Sequence, residues 1–147
     1  MKLTPILFLL TLLFGCKQQT VIRLEPLSPI SYTFGSDSLS NRIDYFYMKG
    51  DLVFDKAGYR QFKEQIEHHA AQVPTSEYAL YSIYVYRETD VLGKAYTQGK
   101  AGLEGHRVDM VSYIRYAKGV PDIFYIIRDG EVVYDVLTEQ GLSFDFE

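Results

Sequence analysis

The dipeptide Asp129-Gly130 separates two runs of alternating apolar and polar residues, at 122–128 and 131–137. An Asp-Gly pair in this setting is the strongest short signal for a two-residue β-hairpin, because a type I′ turn needs positive φ at both positions. The predicted cross-strand pairs are Arg128/Glu131, Ile127/Val132, Ile126/Val133, Tyr125/Tyr134 and Ile123/Val136. One face of the hairpin is then apolar, so the sequence predicts an antiparallel pair with one buried side.

Further strand-like runs are spread along the chain and enclose one helical pattern. The runs lie at 30–34, 42–48, 51–54, 78–86 and 108–116. Asp55 is placed to cap a helix over 56–72, whose apolar residues recur every three or four positions along one stripe. We therefore predict an α+β fold, with an antiparallel sheet of about five to six strands and one long amphipathic helix packed across it.

This predicted outline resembles two known architectures and, locally, a third. Cystatin-like folds and the nuclear-transport-factor-like cone share the outline, and this analogy of architecture implies no particular function. The segment 119–133 also resembles the thioredoxin segment in which a proline-initiated strand turns through a glycine into the last strand. Redox members of that family need a Cys-x-x-Cys pair, whereas Cys16 is the only cysteine of the chain. Thiol chemistry in the domain is therefore excluded.

The first 15 residues have the organisation of a secretion signal. Lys2 precedes an apolar run of 12 residues, 3–14, which is shorter than the roughly 20 residues that a helix needs to cross a bilayer. The residues Leu13-Phe14-Gly15-Cys16 resemble the lipobox of bacterial lipoproteins. That resemblance implies cleavage before Cys16, acylation of this residue and anchoring of the mature protein to membrane lipid through Cys16.

The resemblance divides the chain into a signal peptide at 1–15, a lipidated cysteine with a flexible tether at 16–29 and a single domain at 30–147. Residues 17–29 contain prolines and polar side chains without periodicity, which is typical of a tether. Lys17 stands where an aspartate signals inner-membrane retention in some enterobacteria. The resemblance therefore implies a location in the bacterial cell envelope, with the outer membrane as the destination.

Charge and motif content limit the functions open to the domain. Removing Lys2 with the leader changes the formal net charge from −4 to −5, and no basic cluster is visible in the sequence, so nucleic-acid binding is not expected. The sequence has no nucleophile motif and no zinc-ligand spacing, and the pair Glu64 and His68 lacks further ligands. We expect no catalytic residue, no metal and no cofactor.

The chain has 13 tyrosines and no tryptophan. Many of the tyrosines alternate with aliphatic residues in strand-like runs, where a ring is half buried and its hydroxyl reaches water. Sheet packing accounts for this pattern. A recognition surface of outward rings accounts for it as well, because tyrosine is enriched at interface hot spots.

The segment 88–107 interrupts the strand pattern and is rich in glycine. It carries four candidates for contact with a ligand or partner, which are Lys94, Lys100, His106 and Arg107. Its backbone N–H groups are suited to an anion nest, although the spacing matches neither a dinucleotide-binding motif nor a P-loop. A surface loop, a protein-contact loop and an anion site are all compatible with this segment.

Two functional hypotheses follow from these observations. The first is a small, non-catalytic envelope lipoprotein that binds another envelope or secreted protein, as inhibitors, immunity proteins and assembly factors do. The alternative is a small-ligand-binding or hydrolytic domain with a pocket between helix and sheet. The first hypothesis predicts a filled helix–sheet interior and outward tyrosines, whereas the second predicts an open cavity lined by polar groups.

Overall fold

The computed structural model describes residues 21–35 and 40–146. The predicted signal peptide at 1–15 and the predicted lipidation site Cys16 lie outside these residues. Seven strands, β1 to β7, lie at Arg23–Phe34, Ser40–Lys49, Tyr78–Arg87, Met110–Ala117, Val120–Arg128, Glu131–Asp135 and Gln140–Asp145. The helices are α1 at Lys56–Ala70 and α2 at Gly99–Leu103, and 3₁₀ turns lie at Thr75–Glu77 and Glu104–Asp109. Within the described part, no helix has the length and apolarity needed to cross a membrane.

The strands form one sheet in chain order, from β1 to β7. Neighbouring strands are antiparallel except β2 and β3, which are parallel and joined by the crossover helix α1. The predicted fold class is therefore wrong. The sheet has seven strands instead of five or six and is mixed instead of antiparallel. The helices are two elements of 15 and five residues instead of one long helix.

The errors arise where local pattern carries little information. Residues 23–29, predicted as tether, form the first part of β1, which tolerates Pro26 because it is an edge strand. The predicted strand at 51–54 does not form, since β2 ends at Lys49 and the chain turns at Gly50, whose φ is 87°, toward α1. The sequence does not specify that β3 runs parallel to β2, because a helical connection permits either direction.

Helix α1 begins at the predicted residue and covers one face of the sheet. The side chain of Asp55 caps it by accepting a hydrogen bond from the backbone N–H of Gly58 at 2.8 Å. Its stripe includes Phe62 and Ile66, which are fully buried. They belong to one core with the sheet residues Ile83, Ile114, Phe124 and Ile126. The interior between α1 and the sheet is therefore filled by apolar side chains.

The opposite face of the sheet carries a second core. Leu92, Tyr96 and Leu103, from the segment between β3 and β4, are buried in it together with Tyr47 and Tyr86 of the strands. The segment 88–107, which interrupts the strand pattern, is thus packed onto the sheet through these side chains. It includes α2 and the 3₁₀ turn that follows.

The turn predicted at Asp129-Gly130 is confirmed by φ angles of 55° and 87°. The two pairs next to the turn also form as predicted, Arg128/Glu131 and Ile127/Val132. A bulge then shifts the register by one residue, so that the outer pairs are Ile126/Tyr134 and Tyr125/Asp135. The outer part of the predicted register is therefore wrong, because a bulge adds an unpaired residue that turn geometry does not specify.

Candidate binding site

A row of four tyrosines crosses the sheet on the face opposite α1. Strand register places Tyr45 beside Tyr84, Tyr84 beside Tyr113, and Tyr113 beside Tyr125 on four successive strands. The ring centroids of Tyr45 and Tyr84 are 5.3 Å apart, and those of Tyr84 and Tyr113 are 4.8 Å apart. We call these four residues the tyrosine row. Such cross-strand aromatic pairs hold each ring in a defined orientation.

Other aromatic side chains extend the row at both ends. Tyr32 lies edge-on to Tyr45, with centroids 6.2 Å apart, and Phe34 follows it by two residues on the same side of β1. At the other end Phe144 is 5.7 Å from Tyr125, and Phe146 is 5.3 Å from Tyr113. The tyrosine row and these four flanking residues together form what we call the aromatic face.

The aromatic face is covered only in part. Tyr45 is buried, but Tyr84, Tyr113 and Tyr125 are half-buried. Phe34 is 51% exposed and Phe144 is 45% exposed. A contiguous set of partly exposed aromatic rings on one sheet face is typical of a protein-interaction surface.

A cleft of about 190 Å³ lies between the tyrosine row and the segment that contains α2. Its floor includes the rings of Tyr45, Tyr84 and Tyr86. Its charged lining residues are Lys100, Glu104 and Arg107. We call it the tyrosine cleft. It joins the aromatic face to the segment 88–107, which carries the predicted contact candidates.

The floor tyrosines are neutral hydrogen-bond donors. Burial, with a smaller contribution from Tyr32, raises the pKa of Tyr45 to about 12. Burial also raises the pKa of Tyr84 and of Tyr86 well above the ordinary tyrosine value. Among the described residues, the buried hydroxyl that lacks a hydrogen-bond partner is that of Tyr96, which is not part of the cleft lining. Tyr45 and Tyr86 line the cleft, so their hydroxyl donors lie next to a group that enters it.

The four contact candidates separate into two groups. Lys100 and Arg107 line the tyrosine cleft. His106 is instead held by Asp109, with 3.1 Å between its Nδ1 and Oδ2 of the carboxylate, and its ring lies edge-on to Tyr96. Lys94 lies outside the lining of the cleft, and its charge acts on Glu25. The structure thus brings two of the four candidates together.

A buried carboxylate, Asp44, is a feature that the sequence analysis missed. Its oxygens accept hydrogen bonds from Ser31 Oγ at 2.6 Å, Arg42 Nε at 3.0 Å and the Tyr81 hydroxyl at 2.8 Å. Burial raises the pKa of this carboxyl group, but its contacts with His69 and Arg42 and the hydroxyl donors outweigh burial, so the pKa lies well below its usual range. These donors occupy its acceptor positions, which assigns Asp44 a structural role.

A short basic stripe on α1 was also missed. Lys56, Arg60 and Lys63 line one groove together with Glu139. Their spacing of four and three residues was the available signal, because it places them on one side of a helix. The groove is also lined by Tyr59 and Tyr134, whose rings are tilted against each other with centroids 4.5 Å apart.

Neither a group of metal ligands nor a similar protein indicates a function for this site. Among the residues that the structure describes, no three His, Cys, Asp or Glu side chains are grouped so that they can hold a metal ion. No protein-family model, curated protein or solved structure matches this chain. The aromatic face and the tyrosine cleft therefore form the candidate binding site.

Proposed function

We propose that this chain is a small, non-catalytic lipoprotein of the bacterial envelope whose aromatic face binds another envelope or secreted protein. The observation that carries the proposal is the partly exposed tyrosine row. Tyrosine presents a large apolar ring at low conformational cost and a hydroxyl for hydrogen bonding, and it is enriched where interface residues contribute most to affinity. Rings already ordered by their neighbours lose little further entropy on binding.

The packing under α1 favours this proposal over a ligand pocket between helix and sheet. Phe62 and Ile66 fill that interior from the helix, and the facing strand residues Ile83 and Ile114 are fully buried. The tyrosines that line open space lie on the other face of the sheet. This arrangement is the one expected of a binding domain with a filled core.

The proposed anchor limits where binding takes place. Only six residues, 17–22, separate Cys16 from the start of β1 at Arg23. Fully extended, six residues span roughly 20 Å, so a lipidated Cys16 keeps the domain close to the bilayer surface. The partner is therefore a protein that is itself at the membrane or reaches it. The location that we propose is the outer membrane.

Site-specific photo-crosslinking tests the proposal in intact cells. A benzophenone amino acid replaces Tyr113 or Phe144 on the aromatic face, and Glu64 on the exposed side of α1 serves as the matched control position. We expect the two face positions to form a covalent adduct with one and the same polypeptide, and the Glu64 position to form none. Phe144→Asp combined with crosslinking from Tyr113 is expected to remove the adduct.

Three outcomes would contradict the proposal. Equal labelling at all three positions would mean that proximity at the membrane, not the aromatic face, produces the adduct. An adduct whose second polypeptide is this chain itself would replace the proposed partner by a homodimer. Absence of any adduct, together with a rise in melting temperature on addition of a small metabolite, would favour the ligand-binding alternative.

A further inference from the structure

The tyrosine cleft has positive charge in an acidic protein. The chain has a formal net charge of −4, yet the cleft is lined by two cations, Lys100 and Arg107, and a single carboxylate, Glu104. In the described part of the chain, neither cation forms an ion pair with a carboxylate. Both side chains are exposed. Their charges are thus available to a group that approaches from outside.

The tyrosine hydroxyls of the floor favour the same kind of ligand as the two cations, namely a group with acceptor oxygens. Tyr45 and Tyr86 line the floor, and burial raises the pKa of both, so their hydroxyls stay protonated. Arg107 and Tyr86 line the same cleft. An ammonium, a guanidinium and two hydroxyl donors that face one space are matched by a group rich in acceptor oxygens and carrying negative charge.

The remaining walls set the size and polarity of that group. At about 190 Å³ the cleft is smaller than the roughly 300–1,000 Å³ of most small-molecule sites, and it is suited to one or two side chains. Met110, Leu103 and Phe146 give it apolar walls. Glu104 removes part of the positive charge, which favours an anion with a single charge over a phosphate dianion.

We propose that the tyrosine cleft binds one Asp or Glu side chain of the partner, which lies next to an apolar or aromatic residue in an extended segment. This inference rests on the proposed function and names the chemistry of the partner at that site. The carboxylate interacts with Lys100 and Arg107 and accepts hydrogen bonds from the floor hydroxyls. The neighbouring apolar residue packs on Met110 and Phe146 and continues onto the tyrosine row.

Selection from a random heptapeptide library displayed on phage tests the inference on the full-length protein in detergent micelles. We expect the selected peptides to share an acidic residue next to an apolar or aromatic one. For the best peptide made synthetically, changing that Glu to Gln or Asp to Asn is expected to weaken binding about ten-fold or more, since the charged hydrogen bonds are lost. Fluorescence anisotropy measures the dissociation constant.

Matched variants locate the effect in the cleft. Lys100→Glu with Arg107→Glu is expected to weaken binding of the acidic peptide by at least about ten-fold and to restore binding of a peptide that carries Lys in place of its acidic residue. Lys94→Glu is the control for Lys100→Glu alone, because it makes the same charge change on an exposed residue of the same segment that does not line the cleft. Its affinity for the acidic peptide is expected to change less than about two-fold. Thermal unfolding verifies that all variants stay folded.

The inference is overturned if no peptide is selected, if the selected peptides lack a common acidic residue, or if the double variant binds them as tightly as the unmodified chain does. The photo-crosslink from Tyr113 distinguishes this failure from failure of the proposed function. If the adduct still forms in the double variant, the proposed protein binding stands and the proposed acidic anchor is contradicted. If no adduct forms in the unmodified chain, the proposed protein binding itself is contradicted.

Discussion

Asp44 shows at the scale of one residue how a charge is held inside the sheet. Its side chain is almost inaccessible, and Ser31, Arg42 and Tyr81 donate hydrogen bonds to it. His69 Nε2 lies 3.8 Å from the carboxylate and 3.1 Å from the Tyr81 hydroxyl, so the network joins β1, β2, β3 and α1. A buried carboxylate with this many donors stabilises only as long as it stays ionised.

Asp44→Asn is expected to lower the free energy of unfolding by about 3 kcal/mol, because it leaves Arg42 and the hydroxyl donors with a neutral and partly mismatched partner. Urea denaturation measures the change. Asp122→Asn is the control, since Asp122 also binds an arginine, Arg115, at 2.7 Å, but at the surface. Its cost is expected to be below about 1 kcal/mol. Equal losses in the two variants would contradict the role assigned to burial.

Stability is also expected to depend on pH through Asp44. The pKa of this group is lowered in the folded protein, so its contribution is fully present above the unfolded pKa of about 4 and is lost progressively as the pH falls from there toward the lower folded pKa. Urea denaturation between pH 7 and pH 3 is therefore expected to show a steeper loss of stability in the unmodified chain than in Asp44→Asn. If the free energy of unfolding changed with pH in the same way in both proteins, a lowered pKa of Asp44 in the folded state would be contradicted.

At the scale of elements, the turn between β5 and β6 depends on backbone conformation more than on contacts. Gly130 has a φ of 87°, and a Cβ at this position would meet no atom within 4 Å. The cost of a side chain there is thus conformational and not steric. Beyond the turn, the bulge changes which side chains face each other across the hairpin.

Gly130→Ala is expected to destabilise the protein by about 1–2 kcal/mol, which is the cost of a left-handed conformation for a residue with a Cβ. Gly105→Ala is the matched control, because its Cβ would also meet no atom and its φ is outside the left-handed region. That change is expected to lie within about 0.5 kcal/mol of zero. Thermal or urea unfolding measures both variants, and a Gly105→Ala loss as large as that of Gly130→Ala would argue against a conformational origin.

At the scale of the whole molecule, the proposed anchor and the aromatic face act together. According to the proposal, a lipid at Cys16 confines the domain near the bilayer and raises its effective concentration toward a partner in the same membrane. Modest affinity at the aromatic face is then sufficient for a stable complex. We expect the proposed protein binding and the proposed anchoring to be separable by mutation, because they depend on residues in different parts of the chain.

Cys16→Ser is expected to leave the protein unprocessed or to release it from the membrane, because serine cannot receive the thioether-linked lipid. Cell fractionation and the intact mass of the purified protein measure both effects. Gln18→Ser introduces the same residue two positions later. We expect this variant to have the membrane fraction and the proteolytic processing of the unmodified chain. A Cys16→Ser protein with an unchanged membrane fraction and mature mass would contradict lipidation at this residue.

The sequence by itself determined the features that depend on neighbouring residues. The Asp55 cap, the start of α1 and the Asp129-Gly130 turn follow from interactions within three or four positions, so they are readable in one stretch of chain. The composition of 88–107 also predicts Lys94, Lys100, His106 and Arg107 as contact candidates, of which Lys100 and Arg107 line the tyrosine cleft. Each of these features needs no knowledge of what lies across the sheet.

Only the tertiary structure decided the sheet and the site built on it. The tyrosine row needs Tyr45, Tyr84, Tyr113 and Tyr125 in register on four strands, and one of the three pairings is parallel and spans a helix. A one-residue slip in any strand would move its tyrosine to the other face. Strand order, the bulge and the cleft all result from contacts between residues far apart in the chain, whose free energies no local pattern records.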